Sequence, residues 1–225
     1  MVFRPDWEIV AGAVAAYIGS RPEVDRARIA LMGTSFGGYL APRAATGDFT
    51  PAALIADPGQ YSLLEETQTR LPGFLARELP DGRRFVLDLI DRILRARLRH
   101  PTKGWAIRRG LWVHGVDRPI DYLRLTAQYT LAGRVDRIRC PTMIACAESD
   151  QIGVTAAKLY GLLNCSKAFR RFTAAEGAGS HCESGARSLF NQHAFDWLDE
   201  TLSRPEERSS SAAYEREFSS PTHVG

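Results

Sequence analysis

Residues 33–37, Gly-Thr-Ser-Phe-Gly, follow directly on the apolar run Ile29-Ala30-Leu31-Met32. A serine at the point where a buried strand turns sharply into a helix forms a nucleophile elbow, and the turn lifts the Oγ of Ser35 clear of the sheet. A serine hydroxyl is a weak nucleophile at neutral pH. It needs an imidazole to take its proton and a carboxylate to orient that imidazole. With an elbow of this kind the expected chain order is serine, acid, histidine. Asp150 stands just past the apolar run 142–147, and His181 stands in the glycine-rich segment Gly177-Ala178-Gly179-Ser180-His181. The backbone N–H of Phe36 is the expected donor to an oxyanion on an attacked carbonyl.

Each residue also has a plainer reading. The GxSxG pattern also fits a glycine turn with an incidental serine. Asp150 also suits the cap of a helix starting near Ile152, and Glu148 is the nearest rival acid. Among the five histidines, His193 falls inside a helical pattern, His223 in the C-terminal stretch, and His100 and His114 in a helical middle segment. His181 alone follows a core strand on a loop.

The elements that must position these groups are legible as periodicities. Trp7, Val10, Val14, Tyr17 and Ile18 recur at helical spacing, with Asp6 as the expected N-cap. Buried strands are expected at 28–32, 52–56, 142–147 and 168–173, and helices at 155–163 and 186–202. Between residues 60 and 134 strand signals vanish, and helices are expected at 63–78, 83–99, 105–116 and 120–131. In the second of these, Phe85, Val86, Leu89, Ile90, Ile93 and Leu94 share an apolar face, opposite a polar face with Asp88–Arg92 and Asp91–Arg95 at surface-pair spacing. The expected architecture is a parallel α/β core from residues 1–59 and 135–203, a helical cap insertion at 60–134, and a disordered tail at 204–225.

Composition bounds the partners. The 225 residues are 44% hydrophobic and 24% charged, enough for one sizeable core. A net charge of +3, from 29 Lys+Arg and 26 Asp+Glu, is too balanced to point to nucleic acid or a membrane surface, and it suits a small neutral or weakly anionic substrate. Cys140, Cys146, Cys165 and Cys182 lack CxxC spacing, which argues against zinc and against a disulfide framework and suggests a reducing, cytoplasmic setting. No apolar run approaches a membrane span of roughly 18 residues. Gly33 to Gly38 matches neither a dinucleotide fingerprint nor a Walker loop, which argues against nucleotide binding. No metal or organic cofactor is implied by the sequence.

Three segments carry a more specific likeness: 33–43 (GTSFGGYLAPR), 111–116 (LWVHGV) and 176–183 (EGAGSHCE). Together they resemble a branch of the α/β-hydrolases that includes 2,6-dihydroxypseudooxynicotine hydrolase, fungal polyketide chain-shortening hydrolases and bacterial acylaminoacyl-peptidase-like proteins. The likeness runs from about residue 4 to 203. It implies a Ser35, Asp150, His181 triad beneath a helical cap, acting on a C–C bond beside a ketone or on an ester or related acyl bond. It also implies that cap residues such as Trp112, His114 and Tyr122 line the substrate chamber. Such hydrolases have about eight strands, and only four are expected here. The chain therefore reads as a partial α/β-hydrolase fold lacking its N-terminal part and the second oxyanion donor, with strand 28–32 as an exposed apolar edge. That edge suggests a homodimer or a complementing N-terminal fragment. The alternative function is a non-catalytic remnant that needs such a partner.

Overall fold

The structure, a computed structural model, describes residues 2–203; the tail expected to be disordered, 204–225, lies outside the described residues. Four strands, β1 (Ala30–Thr34), β2 (Ala53–Asp57), β3 (Thr142–Ala147) and β4 (Lys167–Phe172), form one parallel sheet in the order β1-β2-β3-β4. Because every strand runs the same way, all four carboxyl ends lie along one rim, where sites gather in open α/β sheets. Thr34 pairs with Asp57, and Ala147 with Phe172.

The period-two alternation of the strands sorts the core into two layers. Leu54, Ala56 and Ile144 face helices α2 (Gly37–Ala44) and α8 (Ala156–Leu162) through Tyr39, Leu40 and Leu159. Ile55, Met143 and Ala145 face the last helix, α9 (Arg187–Leu202), through Phe190 and Ala194. β2 is buried throughout, as its unbroken apolar run requires. β1 has no partner on its outer side among the described residues, and Met32, on the α9 face, is 45% exposed. The expected apolar edge is present.

Helix α1 (Trp7–Gly19) packs on α2, fixed by Arg43 donating two 2.7 Å bonds to the Glu8 carboxylate. Asp6 does not cap it: its carboxylate takes Arg4 instead, an ion pair that outcompetes the exposed first-turn amides.

Between β2 and β3 the described residues hold five α-helices, α3 (Leu63–Thr69), α4 (Gly73–Ala76), α5 (Arg84–Arg97), α6 (Pro101–His114) and α7 (Pro119–Leu125), and no strand beyond a single antiparallel bridge between Ser62 and Thr130. The single helix expected over 63–78 is broken at Pro72, which lacks an N–H to donate and pushes Leu71 out of the helical region. The one expected over 120–131 ends at Leu125 and gives way to a 3-10 turn over Thr126–Gln128. A small core of Leu75, Leu79, Val86, Ile90, Leu94 and Ile120 ties these helices together.

The buried stripe of α5 is rotated from the expected one. Val86, Leu87, Ile90, Asp91 and Leu94 face inward, while Phe85, Leu89 and Ile93 are exposed. The cause is Asp91, whose carboxylate accepts the Ile120 N–H at the start of α7 as well as Arg95. Asp88 pairs with Arg118, not Arg92. No described helix is long and apolar enough to cross a membrane.

Candidate active site

The elbow is built by close approach. A Cβ on Gly33 would sit 1.9 Å from the Gly37 carbonyl oxygen, and one on Gly38 would sit 1.7 Å from that of Pro58. Gly37 has nothing within 4 Å of its would-be Cβ, so the glycines that make room are 33 and 38, not 33 and 37 as the motif spacing suggests. Between them Ser35 is held at φ +59°, a left-handed conformation that costs a non-glycine residue about 1–3 kcal/mol. Its N–H donates to the Asp57 carbonyl at 2.7 Å and its carbonyl accepts the Gly38 N–H at 2.8 Å. The strain is thus held in place from both sides. The amide of Phe36 donates to none of the backbone carbonyls of the described residues.

Ser35, Asp150 and His181 follow β1, β3 and β4, and the shared rim brings them together. Ser35 Oγ lies 2.9 Å from His181 Nε2, and His181 Nδ1 lies 2.8 Å from Asp150 Oδ2. The Asp150 side chain is buried and its second oxygen accepts the Ile152 N–H at 2.8 Å; this is a turn contact and not the helix cap that the sequence also allowed, because the next helix, α8, starts at Ala156 behind Thr155. The rival Glu148 turns away to the Ala174 amide and Arg171. The Asp150 carboxylate, and next the Cys182 thiol 3.4 Å from Nε2, raise the pKa of His181 above the ordinary imidazole value.

The segment carrying His181 has its own buried support. Cys182 and Glu183 both adopt φ +51°, and Glu183 is fully buried beside Asp57. Arg187 donates to Asp57 Oδ2 at 2.7 Å, to the Cys182 carbonyl at 3.2 Å and to Glu183 Oε2 at 3.3 Å. One guanidinium thus serves two buried carboxyls whose other oxygens, Asp57 Oδ1 and Glu183 Oε1, have no hydrogen-bond partner among the described residues. Burial pushes both carboxyls up, Glu183 to about 8.

A cavity of about 130 Å³ opens beside Ser35 and Phe36. His114 and Tyr122 line it. Trp112 does not: it is 81% exposed on the outer side of α6, and the chamber role expected for it is withdrawn. Glu66, buried on α3, also lines the cavity, where the sequence points to no acidic residue. It accepts Gln60 Nε2 at 2.7 Å and Thr155 Oγ1 at 2.8 Å, and burial pushes its pKa up to about 7. Its neighbours on that side of α3 are Leu63 and the polar Thr67, so no apolar stripe marks it in the sequence.

Known proteins agree with this architecture. Residues 3–200 match the family model described as the alpha/beta hydrolase family. The chain is 30% identical to 20-hydroxy-prefusarin hydrolase FUS2 of Gibberella moniliformis, over 88% of this chain and 50% of that protein. To hydrolase LUC6 of Fusarium sp it is 32% identical, over 90% and 51%. The chain therefore spans about half the length of these curated relatives. Among solved structures, the 2,6-dihydroxy-pseudo-oxynicotine hydrolase superposes with a TM-score of 0.60 at 20% identity, covering 88% of this chain and 47% of that one. The alpha/beta hydrolase GrgF from Penicillium sp. sh18 does so with a TM-score of 0.57 at 18% identity, covering 88% and 73%. The half-sheet of four strands, the strained serine and the extent of these matches make the chain a member of the alpha/beta hydrolase family, carrying part of its fold.

Proposed function

We propose that the protein is a serine hydrolase of a small carbonyl compound, cleaving a C–C bond beside a ketone or an ester or related acyl bond. The observation that carries this is the unbroken chain of short contacts from Ser35 through His181 to Asp150 at the mouth of a cavity. In this reading residues 60–134 act as a cap over a core formed by 1–59 and 135–203.

The chemistry follows from the contacts. Unprotonated His181 Nε2 takes the Oγ proton as Ser35 attacks the carbonyl carbon, and Asp150 stabilises the imidazolium that forms. The Phe36 N–H receives the charge that grows on the carbonyl oxygen. The imidazolium then returns its proton to the leaving group, and water repeats the sequence on the acyl-enzyme. Glu66, poised near neutrality by burial, is suited to pass a proton to or from a leaving carbon or oxygen across the cavity.

Four cysteines standing as free thiols favour a cytoplasmic setting. A second reading, a non-catalytic fragment completed by another polypeptide, is favoured by the open β1 edge with Met32 exposed. A fluorophosphonate probe separates the two. Labelling of the wild-type protein that disappears in Ser35→Ala supports the hydrolase; folded protein that takes up no label sinks it.

A further inference from the structure

We infer that His114 is held as the tautomer with its proton on Nδ1 and presents a bare Nε2 to the cavity, an acceptor that selects substrates carrying a hydroxyl near the attacked carbonyl. The substrate half of this rests on the hydrolase reading above.

The argument is one of proton counting. The buried Tyr129 hydroxyl sits between His114 Nδ1, at 2.9 Å, and the Phe3 carbonyl oxygen, at 3.0 Å. A carbonyl only accepts, and a phenol has one proton to give. That proton goes to Phe3, and burial keeps it on the oxygen by pushing the phenol well up. The contact with His114 is then a hydrogen bond only if Nδ1–H is the donor. A second proton on the ring is disfavoured, because burial, and then the charge of Arg109, lower its pKa to about 4. The ring is packed among Phe3, Phe36, Tyr122 and Tyr129, none of which offers an anionic group to hold a second proton.

Orientation completes the case. His114 lines the cavity with Ser35 and Phe36, whereas Tyr129 does not, so the Nδ1 edge is the one turned away from it. Nε2 has no hydrogen-bond partner among the described residues, although its ring is partly buried. An acceptor left unpaired at the cavity penalises ligands that bury it without a donor. A hydroxyl on the substrate satisfies it; a methyl ether at the same position does not.

Two measurements test this on the full chain. In ¹⁵N-histidine-labelled protein, long-range proton–nitrogen spectra should show His114 neutral and protonated on Nδ1 from pH 6 to 8 (a range set about the ordinary imidazole value). In Tyr129→Phe, which keeps the ring and loses the hydroxyl, the Nε2–H form should appear. The second measurement compares 3-hydroxyphenylboronic acid with 3-methoxyphenylboronic acid as reversible ligands of Ser35. The hydroxyl compound should bind about five- to tenfold tighter, the size of one net hydrogen bond, and the preference should fall to within about twofold in His114→Phe and Tyr129→Phe. An Nε2–H tautomer in the wild type, or equal binding of the two acids while Ser35 still reacts with a fluorophosphonate, overturns the inference and leaves the hydrolase reading standing. Failure of both acids to bind, with Ser35 unlabelled, brings down the hydrolase reading and the substrate half together. Melting curves of the two variants establish that each is folded before either comparison is made.

Discussion

The carbonyl of Asp57 accepts the Ser35 amide at 2.7 Å, so the last residue of β2 holds the strained residue that follows β1. The same Asp57 takes Arg187 on its carboxylate, and Arg187 reaches the segment that bears His181. Serine and imidazole are therefore referenced to one buried residue between them, which keeps a 2.9 Å contact from depending on two independent loops.

Arg187 is the one cation among the described residues that pairs directly with the buried Asp57 and Glu183 carboxyls. Arg187→Met should cost about 3–5 kcal/mol at pH 8, as expected when one partner of a buried ion cluster is removed. Both carboxyls lie above their ordinary values, so lowering the pH protonates them and shrinks the loss. Urea unfolding at pH 5 and pH 8 (chosen about the carboxylate and near-neutral ranges) checks it; an equal loss at both would refute the account.

Room at the elbow is asymmetric. Gly38→Ala should destabilise by more than about 3 kcal/mol or abolish soluble expression, because its Cβ would meet backbone that cannot move cheaply. Gly37→Ala should change stability by less than about 1 kcal/mol, since it meets open space and sits at the start of a helix. Denaturant midpoints of the pair decide it, and similar losses in both would count against the packing described.

The left-handed backbone at Ser35 is held against its preference. Ser35→Gly should abolish fluorophosphonate labelling and raise stability by about 1 kcal/mol, because glycine adopts positive φ without the Cβ penalty. A lower melting temperature in this variant would mean that the serine contacts outweigh the strain.

His181 must lose its proton before it can activate Ser35. Its pKa is raised by Asp150 and then Cys182, so the labelling rate should climb with pH to a midpoint above the ordinary 6.5. In Asp150→Asn the midpoint should fall toward 6.5 while the rate drops by about 10²–10⁴-fold. The stability linked to this histidine has the opposite course: it is complete below the unfolded value of 6.5 and is lost as pH rises through the raised folded value. Rates from pH 5 to 10 (spanning the ordinary and raised imidazole ranges) test the midpoint, and an unchanged midpoint in the variant would exclude Asp150 as the cause.

Glu66 titrates in the cavity. Glu66→Gln should lower turnover of an aryl ester or β-diketone by about 10²-fold if it transfers a proton, and should flatten the pH dependence near 7. The folded carboxyl is raised by burial, so its penalty on stability sets in as pH climbs from 4.5 through 7, and the glutamine variant should be relatively more stable above that window.

Local chemistry made much of the protein legible in one dimension. A run of apolar residues ending in Gly-Thr-Ser-Phe-Gly specifies a strand, a sharp turn and an exposed hydroxyl, because each depends on neighbours in sequence. Asp150 and His181 were readable for the same reason, as polar residues placed just past apolar strands. Three-dimensional packing decided the remainder. The inward turn of Asp91, the choice of Gly38 over Gly37, the outward face of Trp112, and the meeting of Glu66 and His114 at one cavity all depend on which distant backbone lies opposite, and periodicity along a single helix does not encode that. The carboxyls of Asp57 and Glu183, 126 positions apart, share Arg187 only because parallel strands bring their ends to one rim.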